Sequence, residues 1–111
     1  MLPAVTQHQG TRAAESAWDR LLDLLDHFAA DPRLPITADV ERTFAVLCSE
    51  GMSEGTIDRE LHVTDTARWL AGLVVAHHAV RQAHPEVEPD DDLAELRLLA
   101  TRWLHPARPG R

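Results

Sequence analysis

Residues 70 to 76 read Leu70-Ala71-Gly72-Leu73-Val74-Val75-Ala76, at the centre of a helix-like stretch from Asp65 to Ala83. The start of that stretch is amphipathic, and its centre is almost wholly apolar. A helix that is apolar all round has to be buried on every side. The chain has 111 residues, enough for one domain with a modest core. Four short helices leave little protein to bury such a segment against. The simplest solution is a second copy of the chain.

Working outward, Pro85 and Pro89 bracket an acidic link into a fourth helix, Asp90 to Leu104, with Leu93, Leu96, Leu99, Ala100 and Trp103 as its apolar stripe. Asp90, Asp91 and Asp92 open it, where the helix dipole favours acids. Upstream, Ala14, Ala17, Trp18, Leu21, Leu22, Leu25 and Phe28 recur at three- and four-residue steps, with Asp19, Asp23 and Asp26 on the other side. That periodicity marks an amphipathic first helix. Asp31-Pro32-Arg33-Leu34-Pro35 stops it, because proline cannot continue the hydrogen-bond ladder and disfavours helix just before itself. Thr37 is the expected N-cap of a second helix, whose apolar face is Val40, Phe44, Leu47 and Cys48. Gly51 weakens that helix and Gly55 ends it. Ile57 to Val63 is a connector, and Thr64 is the expected N-cap of the third helix. On the third helix Ala67, Leu70, Ala71, Val74 and His78 line one face; Trp69, Leu73, Ala76 and Val80 line another.

No strand alternation occurs. The expectation is an all-α chain, a small bundle of four main helices spanning 12–106, with a flexible leader (1–11) and a tail (107–111).

Net charge is -7, and all eleven basic residues are arginines without a basic block. A phosphate backbone selects clustered positive charge, so direct nucleic-acid binding by this chain alone is not expected. The single cysteine, Cys48, excludes an internal disulfide and fits a reducing cytoplasm. The N-terminus lacks the basic start and apolar core of a signal peptide. The longest apolar run is far short of a membrane span. The expected setting is soluble and cytoplasmic, with no membrane partner.

Chemistry-bearing patterns are sparse. His77 and His84 share a helical face, while His78 is rotated away from His77 by about 100°. No HExxH, CxxC or carboxylate-plus-histidine spacing points to a metal. No nucleophile elbow, P-loop or dinucleotide glycine pattern appears. No enzyme activity, cofactor or metal is expected. Cys48 lies one turn from Met52 with no basic neighbour in sequence, the setting of an inert core thiol.

From about Trp18 to Pro106, some four fifths of the chain, the order of features resembles the C-terminal regulatory domain of TetR/AcrR-family transcriptional regulators. The carriers are Ala30-Asp31-Pro32-Arg33-Leu34 at the end of the first helix and Glu50-Gly51-Met52-Ser53-Glu54-Gly55-Thr56-Ile57 at the end of the second. Asp65-Thr66-Ala67-Arg68-Trp69-Leu70-Ala71-Gly72-Leu73 is similar to the family's long penultimate helix. His84-Pro85-Glu86-Val87-Glu88-Pro89 and the last helix complete the pattern. The resemblance implies a homodimer through the last two helices and a pocket for a small apolar or aromatic effector. The implied ligand residues are Trp18, Leu22, Phe44, Cys48, Trp69 and His77. The implied dimer seam comprises Ala71, Leu73, Val75, His78, Leu96, Leu99 and Trp103. The family's helix-turn-helix head precedes such a region, and the ten to twelve residues before the first helix here are too few for one.

Residues 49–72 also resemble a LuxR-type helix-turn-helix, through Ser49-Glu50-Gly51-Met52-Ser53, Ile57 and Leu61-His62-Val63-Thr64. Two features oppose a DNA-reading role. The reading helix would run into Leu73-Val74-Val75-Ala76, and the window holds five carboxylates against Arg59 and Arg68. A third possibility is a helical interaction module that takes no ligand.

Overall fold

The structure is a computed structural model and describes residues 15–106. These form four helices: α1 (Ala17–Ala30), α2 (Ala38–Glu54), α3 (Val63–Ala83) and α4 (Pro89–Leu104). No strand is present among the described residues. The expected leader, Ala14 and the tail lie outside them.

The helix ends follow from local chemistry. Ser16 caps α1, its hydroxyl accepting from the Asp19 N–H at 3.0 Å. Thr37 caps α2 as expected, accepting from the Val40 N–H. Gly55 ends α2 in the left-handed region, φ 86°, which glycine enters without penalty. The Gly55 and Thr56 N–H groups close back onto the Met52 and Gly51 carbonyls, satisfying acceptors that the helix end leaves open.

The start of α3 differs from the sequence expectation. Its N-cap is His62, not Thr64, with the ring Nδ1 accepting from the Asp65 N–H. The earlier start lets Val63 pack against the core. Proline opens α4 one residue earlier than expected, at a position where its missing N–H costs nothing.

The core is one cluster. Leu21 and Leu25 of α1, Phe44, Leu47 and Cys48 of α2, Ala67, Leu70 and Val74 of α3, and Leu96, Ala100 and Leu104 of α4 close around it. The helix α3 packs against all three others, α1 also touches α2 and α4, and α2 and α4 flank the bundle.

Long-range hydrogen bonds fasten one end. The Glu54 carboxylate at the end of α2 accepts from the Ala17 N–H at 2.9 Å, placing a negative charge on the positive end of α1. The Asp58 N–H donates to the Leu104 carbonyl at 2.8 Å. The His105 Nδ1–H donates to the Thr56 carbonyl at 2.7 Å. At the other end Arg81 donates to the Val87 carbonyl (2.8 Å) and Asp92 (2.7 Å), folding the α3–α4 link and fixing how the two helices diverge.

Gly51 has a role beyond weakening its helix. A Cβ built there would sit 2.5 Å from Ile57 Cδ1 and 2.8 Å from Cγ1, and Ile57 is fully buried. The connector therefore folds back across the glycine, and its buried isoleucine has to shift if a Cβ is added. Gly51→Ala adds helix propensity but overpacks this contact, a class of change that typically costs about 1–3 kcal/mol. The expected outcome is a lower Tm by circular dichroism; a raised Tm would show that the contact yields.

Candidate functional site

The apolar centre of α3 is only half covered by its own chain. Leu70, Ala71 and Val74 face the core. On the opposite side Gly72, Val75, Ala79 and Ala83 are exposed. Between the two lies the row Trp69, Leu73, Ala76 and Val80, which borders α4. Trp69 is 58% exposed, Leu99 52%, Val80 46% and Leu98 41%.

Two shallow hollows run along this α3–α4 seam. One, about 410 Å³, is lined by Trp69, Leu73, Leu99 and Trp103. The next, about 130 Å³, shares Leu73 and Leu99 and continues past Ala76 and Val80 to Asp92 and Glu95. Together they form a continuous apolar trough with an acidic end. The exposed apolar side chains here are contiguous, not a scatter of single leucines.

A third concavity, about 490 Å³, lies at the far end of the bundle between the C-terminus of α1, the end of α3 and the start of α4. Ala29, Pro32 and Leu93 give it apolar walls, and His77, His78 and Arg81 give it polar ones. The His78 Nε2–H donates to the Phe28 carbonyl at 3.0 Å. Nearby, the Arg33 guanidinium beside Asp31 holds that carboxyl below its usual range.

The residues singled out from sequence divide among these places. Phe44 and Cys48 are wholly enclosed in the core. Burial pushes the Cys48 thiol up to about 11, so it stays protonated and unreactive. Leu22 packs half-buried against the same core. Trp18 stacks on the His105 ring, centroids 4.2 Å apart. These four are not among the residues lining the three concavities. Trp69 belongs to the trough, and His77 lies between the trough and the end cleft and lines both, so the six ligand residues implied by the family resemblance are not gathered around one cavity.

Of the seam residues, Leu73, Leu96, Leu99 and Trp103 line the trough. Val75 is exposed, 55%, but on the flank of α3 away from α4. Ala71 is buried within its own chain, facing the core on α3, and Leu96 is also largely buried, forming part of the trough floor. His78 points toward α1. The residues that sequence reading missed are Leu98 and Glu95, while Val80 was placed on the Trp69 face of α3 without being assigned to the site; the three- and four-residue spacing of Glu95, Leu98 and Leu99 on α4 was the available signal.

Residues 49–72 comprise the end of α2, the connector and the first half of α3. There the exposed Asp65 engages Arg68 at 3.3 Å, and Trp69 beside them belongs to the trough. Among the described residues no group of three or more histidine, cysteine or carboxylate side chains is placed to hold a metal ion. No helix there is long and apolar enough to cross a membrane. No family model, curated protein or solved structure matches the chain.

His77 gives the site a pH dependence. Burial pushes its imidazole below the usual range, His78 adds to this, Asp92 opposes it, and Arg81 again lowers it. The folded protein therefore takes up this proton at lower pH than the unfolded chain. Stability linked to His77 is intact above the ordinary imidazole value, about 6.5, and is lost as pH falls below it. The expected outcome is a Tm that drops between about pH 7.5 and 5, with a smaller drop in His77→Gln. Parallel curves for the two proteins would remove His77 as the source.

Proposed function

We propose that this chain is a dimerising, small-molecule-sensing domain of the TetR-regulator type. The observation that carries the reading is the apolar trough along α3 and α4. It is formed by Trp69, Leu73, Leu99 and Trp103, with Val80 and Leu98 beside it. Removing it from water is favourable in proportion to its apolar area, and a second copy presents the same surface in return. The resemblance in sequence order points to the same pair of helices.

The effector in this reading occupies the end cleft. Its size falls within the range of small-molecule sites; Ala29, Ala30, Pro32, Pro89 and Leu93 offer contacts to the apolar part of a compound, and His77, His78, Arg81, Gln82 and Asp90 suit one that also carries polar groups. The cleft lies at the diverging ends of α3 and α4, next to the Arg81–Asp92 pair that sets their spacing. Occupancy there shifts the geometry of the seam, with a coupling of about 1–3 kcal/mol typical of such transitions.

The test is molar mass by light scattering across micromolar concentrations. Twice the 12.4 kDa chain mass is expected, with on the order of 1,200–2,000 Å² buried in total. Leu99→Arg, at an exposed position, is expected to give a folded monomer. Val75→Arg, on the flank, is expected to leave the dimer in place. A wild-type monomer throughout the range would remove dimerisation from the proposal. Amide and methyl shifts confined to Ala29, Ala30 and Leu93 on titration with apolar and aromatic compounds would support sensing. Silence across a broad panel would leave a dimerisation module alone.

A further inference from the structure

The outer face of α4 carries a pattern that specifies how two copies meet. Glu95, Leu98, Leu99 and Arg102 stand at positions i, i+3, i+4 and i+7 and are all exposed. That spacing puts them on one face of the helix, with the two charges about 10 Å apart along the axis. The leucines lie midway between the charges.

The pattern is self-complementary in one orientation. Reversing the helix direction exchanges Glu95 with Arg102 and Leu98 with Leu99. In an antiparallel pair about a two-fold axis passing between Leu98 and Leu99, each Glu95 faces the other copy's Arg102. The leucines then face one another at the centre. A parallel pair in register brings Glu95 to Glu95 and Arg102 to Arg102, and also sets the acidic start Asp90-Asp91-Asp92 against its own copy.

A second observation concerns the arginine itself. The described residues include eight arginines. Arg20, Arg33, Arg42, Arg68, Arg81 and Arg97 each sit against a carboxylate. Arg59 donates to the Met52 carbonyl at 3.0 Å. Arg102 alone has no partner among the described residues, and Glu95 likewise pairs with none of them. A guanidinium carries five donors in a fork that matches a carboxylate. Glu95 shares this state with other exposed carboxylates, Asp23, Glu60, Glu88, Asp90 and Asp91 among them. It is the one that reversal brings to the unpaired Arg102, and the two bracket two of the largest exposed apolar side chains.

We infer that the chain self-associates through an antiparallel α4–α4 contact centred between Leu98 and Leu99, its register set by two reciprocal Glu95–Arg102 ion pairs. This rests on the dimerising reading above and adds orientation and register to it. The leucines and the adjoining trough supply the attraction. The charges select the arrangement, which is what rim charges do at interfaces.

The test is charge reversal at exposed positions, read by size-exclusion light scattering and native mass spectrometry. Glu95→Arg alone creates two Arg–Arg contacts per dimer, and Arg102→Glu alone creates two Glu–Glu contacts. Each is expected to weaken self-association by about tenfold or more. The doubly reversed chain, Glu95→Arg with Arg102→Glu, restores both attractions and is expected to dimerise. A mixture of the two single variants is expected to form a heterodimer, because one copy then offers two arginines and the other two glutamates. The single variants serve as folding controls for each other in that mixture. If wild type dimerises but the single reversals leave its mass unchanged, or the mixture stays monomeric, the register is wrong while the dimer stands. If wild type is monomeric, the dimer reading and the register fall together.

Discussion

The structure depends on a mismatch between how much of α3 is apolar and how much of it one chain can cover. Leu70, Ala71 and Val74 enter the core, where α1, α2 and α4 all reach α3. The remaining apolar and small residues stay on the surface because no fifth helix exists among the described residues to cover them. The hydrophobic effect acts on whatever surface remains wet, so this helix both organises the monomer and leaves its most adhesive face outside.

The rest of the bundle holds that face in position. At one end Glu54 seats the start of α1, and the Asp58 and His105 hydrogen bonds fasten the connector to the end of α4. Gly51 lets Ile57 close over the helix that precedes it. At the other end Arg81 draws the link and the start of α4 toward α3. Between these two anchors α3 and α4 lie side by side and frame the trough. Pre-formed surfaces of this kind lose little conformational entropy on association.

Much of this was legible in the residues. Three- and four-residue periodicity located all four helices, and Thr37 and Gly55 marked two ends correctly. The separation of α3 into a Leu70–Val74 face and a Trp69–Leu73–Ala76–Val80 face also corresponds to the structure. Periodicity says which residues share a face, however, and not which neighbour that face meets. That is why Ala71 and His78 looked like seam residues, although the first is core and the second reaches Phe28. It is also why Phe44 and Cys48 passed for pocket residues: a filled core and a pocket wall read alike until the packing is known. The closures by Glu54, Asp58 and Ile57 join segments far apart in sequence, or depend on an absent Cβ, and no local pattern announces them. The Glu95–Arg102 spacing was visible throughout, but charged residues on a helix ordinarily mean a wet face. Only the absence of a partner for Arg102 among the described residues gives it weight.

The central claim, that a second copy covers the α3–α4 trough, is tested most directly by isotope-filtered NOE spectroscopy on a mixture of labelled and unlabelled chains. Only contacts between copies give signals in that experiment. The account predicts intermolecular NOEs among the methyl groups of Leu98 and Leu99, and from the trough side chains to the other copy. Their absence at concentrations where the protein is dimeric, or their appearance only on residues of α1 and α2, would contradict it.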